Sequence, residues 1–545
     1  MQGKMMGPKT KAASLALALL LGGAALAAEP GDAQSAANIH AHMAFLASDL
    51  LRGREAGTVD FDIAAAYVAS QMEQLGLKPM GGDGKSYLQP VPLVSYRAAD
   101  QGSLSLKDAS GKTQPLTFGE DYMVRGSALG AEIKMSGPLV FVGFGVVAPE
   151  HGRDDYAGID AKGKIVVLVG GAPKGFQTEE RAYYANGRTK AETALAHGAV
   201  GIITVGTRTG EKLYPFANSV RQYQSWGVTW RDEAGEPYLP AKIPSLGAIS
   251  VAGAAKLFAG APMSADEILT AAESPDAKFR AFDLPVSLDA TLHNEIKKVE
   301  SENVVGLLPG SDPKLKDEVV VLSAHLDHLG ITPPVNGDSI NNGALDNASG
   351  VATTLEVARL FKAAGKAPKR SLLFLIDTAE EKGLVGAGYF AKNPTVAKSA
   401  IVADVDLDMP ILTYDFTDVV AFGADRSSIG PVVKKAAASM KVGLSPDPMP
   451  DEGIFTRSDH YRFVEQGVPA VFLITGFGNG GDVAFKDFMA NHYHKPSDDM
   501  SLPIRFDVGA KFARLNYEIT KGLADSPTKP SWNKGDFFGE KFASH

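Results

Sequence analysis

Glu318-Val-Val-Val-Leu-Ser-Ala-His-Leu-Asp-His328 is the stretch on which the fold of this chain turns. Its apolar run does not alternate, so it is expected to be a strand buried on both faces of a parallel sheet. His325, Asp327 and His328 then fall at the carboxyl end of that strand, where open parallel sheets place their ligand sites. Ser371-Leu-Leu-Phe-Leu-Ile376 reads as a second such strand, and 402–409 and 470–474 as two more. Residues 348–364 read as a helix among them. Strands alternating with helices argue for a mostly parallel sheet covered by helices.

Four further polar islands follow the first in order. They are Leu345-Asp-Asn-Ala-Ser-Gly350, Glu380-Glu381, Leu407-Asp-Met409 and Tyr493-His494. The set offers histidines, aspartates and two adjacent glutamates, which suits a pair of zinc ions and one general base. Each island also has a plainer reading. Asp346 stands where a helix N-cap is expected, a glutamate pair is usually solvated, and His325 is also readable as a loop histidine capped by a carboxylate. Asp404, Asp406 and Asp408 share one strand face, so spacing does not say which of them ligates. Successive side chains in extended backbone point opposite ways. One of Glu380 and Glu381 can therefore bind metal while the other exchanges protons with water and a leaving amine. Asp327 is placed to orient a neighbour from behind the ligands, and His328 reads as a supporting residue. Tyr493 is either a donor to a developing oxyanion or a packed ring.

The chain has 545 residues, enough for two domains with flanking segments. Lys4, Lys9 and Lys11 precede an apolar run over 12–26, and Ala25-Leu26-Ala27 fits a cleavage site. Residues 1–27 are therefore expected to be a signal peptide, and the protein to be exported to the periplasm or the medium. The run is shorter than the ~20 residues a membrane span needs, and no later segment is long enough. The formal charge is −9, and the three lysines of the leader make it −12 once they are removed. That acidity argues against a nucleic-acid partner. There is no cysteine, so zinc ligands are limited to histidine and carboxylate. Runs at 138–147, 164–169, 188–196 and 200–205 form strand–helix–strand material of a smaller α/β unit. Tyr214, Phe216, Tyr223, Trp226, Trp230 and Tyr238 cluster beyond it, as a lid over a site or as a packed loop. The stretch from Ser526 reads as a tail packed on the surface or loose.

These motifs resemble the co-catalytic zinc aminopeptidases of the bacterial leucyl aminopeptidase type. Their superfamily also holds glutamate carboxypeptidase, the transferrin receptor ectodomain and the glutaminyl cyclases. The resemblance extends to Ser458-Asp-His460 with Phe463 and to Leu46-Ala-Ser-Asp-Leu-Leu-Arg-Gly-Arg-Glu-Ala-Gly57. It implies a three-layer αβα zinc-peptidase domain, with a mixed, mostly parallel sheet, formed by 28–127 and 266–525. A small protease-associated α/β domain would be inserted at 128–265, and 526–545 would be the tail. It further implies two Zn2+ ions. His325 and Asp408 would hold one, Glu381 and His494 the other, with Asp346 bridging. Glu380 would be the general acid/base, Asp327 a supporting residue, and Tyr493 the group polarising the scissile carbonyl. Asp406 stands where the family commonly has asparagine, and Ala387 where it commonly has serine. The implied activity is that of a secreted aminopeptidase acting on peptide substrates. A carboxypeptidase, a glutaminyl cyclase-like acyltransferase and a metal-free binding module are the alternatives. No oligomeric state follows.

Overall fold

The computed structural model describes residues 30–543. The expected leader at 1–27 lies outside them. A strand of 27 residues, Phe282–Leu308, organises the whole molecule because it belongs to two sheets in turn. Residues 294–308 pair with Leu88–Ala98 and with Ser371–Asp377. Residues 282–293 pair instead with Ser103–Asp108 and with Glu132–Phe141.

The main sheet is mixed, with a parallel centre. From Ser371–Asp377 it runs to Val319–His325, Ile401–Asp406 and Ala470–Thr475, all parallel. Asp418–Phe422 then adds antiparallel on one side, and Phe282–Leu308, Leu88–Ala98 and Gly227–Trp230 add antiparallel on the other. Every residue of the four parallel strands is buried, as non-alternating apolar runs require when both faces are covered. The helices Pro30–Leu46, Ser349–Ala363 and Phe506–Asp525 pack together as one covering layer. Val385–Lys392 and His460–Val464 pack against each other in a second.

The second sheet forms a smaller lobe. Glu132–Phe141, Ile165–Val169, Gly201–Val205 and Ser245–Ile249 run parallel, with Tyr122–Met123 antiparallel at the edge. Segment 128–265 supplies the four parallel strands. Ser103–Asp108, Thr113–Pro115, Tyr122–Met123 and the start of the long strand join the sheet from outside that range. Gly227–Trp230 goes the other way and edges the main sheet. The two lobes thus share strands instead of meeting at one linker.

Most of the aromatic stretch 214–238 is packed. Tyr223 lies edge-on to Phe118, Trp226 sits under Arg97 and Lys297, and Trp230 stacks on Tyr238 at 4.1 Å. Tyr214 differs and reaches the rim of the site described below. The C-terminal stretch is ordered against both lobes and is not loose. Phe538 is fully buried, 4.8 Å from the ring of Phe455, and Tyr183 of the smaller lobe packs on Phe537 and Phe538.

Candidate metal centre

The strand ends and the turns beyond them bring the five islands together. His325 closes its strand, and Glu380-Glu381 follow Ser371–Asp377 through Ala379. Asp408 follows Ile401–Asp406, Asp346 precedes Ser349–Ala363, and His494 follows Gly481–Asn491. The backbone turns sharply at each arrival. Ala379, Met409 and His494 are left-handed non-glycine residues, at a cost of roughly 1 kcal/mol or more each that the surrounding packing must hold.

Two clusters result. In the first, His325 Nε2 lies 3.1 Å from Asp408 Oδ1 and 3.3 Å from Asp346 Oδ1. In the second, His494 Nε2 lies 3.1 Å from Glu381 Oε2 and 3.4 Å from Asp346 Oδ2. Asp346 thus offers one oxygen to each. A tetrahedral zinc with bonds of ~2.0–2.2 Å spaces its ligand atoms about 3.3–3.6 Å apart. Both clusters match that spacing within a few tenths of an ångström, and the donor set of imidazole and carboxylate is the one zinc takes.

The helix-cap reading of Asp346 fails on local geometry. The helix Ser349–Ala363 has no side-chain cap at its N-cap residue. Asn347 Oδ1 accepts from the N–H of Gly350 instead, which leaves the Asp346 carboxylate free to face three histidines. The turn leaves no room for larger residues at two glycines. A Cβ on Gly343 would lie 2.2 Å from the Asp346 carbonyl, and one on Gly350 2.2 Å from that of Leu407.

Hydrogen bonds behind the clusters orient their members. His325 Nδ1–H donates to the Asp327 carbonyl at 3.1 Å, which turns Nε2 toward the carboxylates. The Asp327 carboxylate accepts the backbone N–H of Glu380 at 3.0 Å. Asp408 accepts from Ser458 Oγ–H at 2.9 Å. Asp406 accepts hydroxyl bonds from Ser323 and Ser458 and the N–H of His460. Of the three acids in the 404–408 row, Asp408 is the one whose carboxylate meets His325.

Three participants were not legible from spacing. His328, read as supporting, is fully buried, with Nδ1 2.6 Å from Glu381 Oε1 and 3.9 Å from Asp346 Oδ2. Neither of its nitrogens makes an aligned hydrogen bond, and with Asp346 and Glu381 it forms a second set able to hold an ion. The doubled histidine of His-Leu-Asp-His was its signal. Asp498 and Arg54 also hold this site, from far away in the chain.

Crowding shifts the proton affinities. Burial, then the neighbouring Asp459, Asp408 and Glu381, drive Glu380 well above the usual carboxylate range, against the pull of His325. For Glu381 burial acts in the same direction, but His494 and His328 outweigh it and hold the carboxyl low. Burial also lowers His494, yet Glu381 and Asp346 raise it to about 10. The adjacent glutamates are therefore pushed in opposite directions, one toward carrying a proton and one toward staying ionised.

The clusters line a cleft together with the apolar side chains of Met409, Met449, Ile454, Ile474, Phe485 and Met489. Tyr493 lines it beside His494, stacked on that ring at 3.8 Å. Glu452 and Arg457 stand at the rim. Arg457 donates to Tyr214 at 2.6 Å, pairs with Glu452 at 3.1 Å and reaches the Tyr493 hydroxyl at 3.5 Å.

Residues 303–518 match peptidase family M28. Leupeptin-inactivating enzyme 1 of Streptomyces exfoliatus is 33% identical over 175 residues, which cover 32% of this chain and 36% of that protein. Carboxypeptidase Q of Rattus norvegicus is 29% identical over 217 residues, 39% of each chain. The chain spans little more than a third of the length of these curated relatives. The aminopeptidase from Aneurinibacillus sp. strain AM-1 shares the fold, with a TM-score of 0.52 at 18% identity over 91% of this chain and 95% of that one. Residues 303–518 are therefore a peptidase family M28 domain, and zinc is the metal its family implies. No helix among the described residues is long and apolar enough to cross a membrane.

Proposed function

We propose that this chain, whose M28 domain makes it a peptide hydrolase, is a secreted dizinc aminopeptidase that removes apolar residues from peptide N-termini. One adjacency carries the reading. The two histidine–carboxylate clusters open into the cleft walled by methionine, isoleucine and phenylalanine, which accepts an apolar side chain at the reacting end.

In this reading His325 and Asp408 would hold one zinc, Glu381 and His494 the other, and Asp346 would serve both, with His328 close enough to join the second set. When bound, such a pair polarises a carbonyl and supplies a nucleophile near neutral pH. The chain's own groups handle the protons. Glu380 lies 3.8 Å from His325 Nε2 at the cleft floor, and its raised affinity suits it to hold a proton between the attacking water and the departing amine. Asp327 fixes the backbone of Glu380. Burial raises the Tyr493 phenol well above its usual range, so it stays protonated and donates to the developing oxyanion. The smaller lobe is taken as a protease-associated unit, and the lysines and apolar run of residues 1–27 support export.

Carboxypeptidase action is the second reading, favoured by the similarity to Carboxypeptidase Q and by Arg457 at the rim. A free C-terminal carboxylate needs an unpaired cation, however, and Arg457 is already engaged by Glu452 and Tyr214. The test is a panel of leucyl, acidic and basic aminoacyl anilides, N-acetylated peptides, C-terminally amidated peptides and N-terminal glutaminyl peptides. It is run after chelation and again with zinc restored. Zinc-dependent release from free N-termini, abolished by acetylation and indifferent to C-terminal amidation, is expected. Cleavage that survives acetylation, or cyclisation of glutamine without hydrolysis, would overturn the assignment.

A further inference from the structure

The loop Arg52-Gly-Arg-Glu55 enters the site from the opposite end of the chain. Arg54 is only 1% exposed, an unusual place for a guanidinium. Its donors all point at backbone carbonyls. Nε donates to Leu326 at 2.6 Å, Nη1 to Leu46 at 2.9 Å and to Asn342, and Nη2 to Gly343 at 2.7 Å and Asp346 at 3.5 Å. Leu326 directly follows His325, and the remaining acceptors apart from Leu46 lie in the turn that carries Asp346. One rigid fork therefore ties the chain behind the first cluster to the turn bearing the carboxylate common to both.

Two further observations single this residue out. The loop adopts a strained course, with Arg52, Gly53 and Arg54 all left-handed. Gly53 lets the backbones close, since a Cβ there would lie 2.5 Å from the Asn341 carbonyl. The charge of Arg54 also faces Asp346, Asp498, Asp327 and Glu381, so it sits behind the carboxylates and not beside a single partner.

We propose that Arg54 is a positioning residue that sets the separation of the two metal positions, by bracing the 326–328 and 342–346 turns at a fixed distance and offsetting the carboxylates behind them. The inference rests on the two-ion reading above. A lysine cannot replace it, because three donors at a single point do not span both turns as a planar fork does.

The test measures zinc alone, in the full chain, by metal content and by competition with a chromophoric chelator. Wild type is compared with Arg54→Lys and Arg54→Ala, and thermal unfolding of each metal-free protein reports the fold. Wild type is expected to take two zinc ions. Both variants should keep one and bind the second at least ten-fold more weakly. Low-millimolar guanidinium should restore the second site in Arg54→Ala, and a purely structural defect would not respond in this way. Two zinc ions in wild type and in both variants, with affinities within two-fold, would overturn the role of Arg54 and leave the two-ion reading standing. Fewer than two in wild type would overturn that reading and the inference with it. Variants that cannot fold even with zinc and guanidinium would assign Arg54 to the fold and overturn its role at the site.

Discussion

Asp498 holds the backbone of Asp346 from below: its Oδ2 accepts the Asp346 N–H at 3.0 Å, while Oδ1 accepts the N–H of Leu345 at 2.9 Å. Both carboxylate oxygens are used, and the residue is fully buried. Hydrogen bonds to a charged acceptor contribute about 1.5–3 kcal/mol each. Asp498→Asn replaces one acceptor oxygen by an N–H pair facing another donor. It should weaken zinc binding roughly 10–100-fold, as loss of a group supporting a ligand does. Chelator competition at fixed pH measures this, and unchanged affinity would remove Asp498 from the site.

Glu380→Gln should leave zinc content intact and reduce kcat by about 10²–10⁴. The amide keeps the shape of the side chain but cannot exchange the proton. Stopped assays on a leucyl anilide, with metal content measured on the same sample, check it. Substantial residual turnover would pass the proton role to another group.

Tyr214 brings the smaller lobe to the cleft through Arg457 and Glu452. Removing it opens the rim without touching the clusters. Tyr214→Ala should raise kcat/KM for longer peptides relative to dipeptides roughly five-fold, about 1 kcal/mol. A length preference identical to that of wild type would make the contact a packing detail.

Phe538 anchors the C-terminal helix Phe537–Phe542 between the lobes. Beside it Arg426 binds Glu179 and Glu180 of the smaller lobe. Truncating a fully buried phenylalanine costs about 3–5 kcal/mol. Phe538→Ala should show that loss in denaturant unfolding, and the smaller lobe should become the first region cleaved in limited proteolysis.

Glu302 carries a pH signature away from the site. Burial first, then Asp62, raises its carboxyl to about 7. The folded state thus holds a proton that the unfolded chain releases near 4.5. The stability contributed by this group is complete below the unfolded value and is lost as pH rises through the folded one. Glu302→Gln should therefore gain in Tm relative to wild type between pH 4.5 and about 7, with a plateau above. A difference independent of pH would show that the group does not titrate in this window.

Much of this was legible in the chain because it is local. Short non-alternating runs such as 319–323 and 371–376 point to buried strands, and polar residues at their ends to the crevice the strands leave open. What stayed open involved partners distant in sequence. The tail from Ser526 reads equally as packed or loose, because nothing within it announces Tyr183 or Phe455, against which it packs. The aromatic cluster at 214–238 reads as a lid or as a packed loop, and only pairing with Leu88–Ala98 decides that Trp230 is inside and contact with Arg457 that Tyr214 is at the rim. Likewise Gly227–Trp230 belongs by sequence to the segment expected as an insert and by hydrogen bonding to the main sheet.

The amino-acid sequence by itself determined the parallel sheet and the order of the polar islands. Burial of apolar strands and the absence of cysteine left few other arrangements. Only the tertiary structure decided that Asp346 faces three histidines instead of capping its helix, that His328 touches Glu381, and that Arg54 and Asp498 hold the turn between them. Those are questions of where carbonyls, carboxylates and N–H groups from separate segments meet. Side-chain spacing along one segment carries no information about that, and the hydrogen-bond demands of buried charge do.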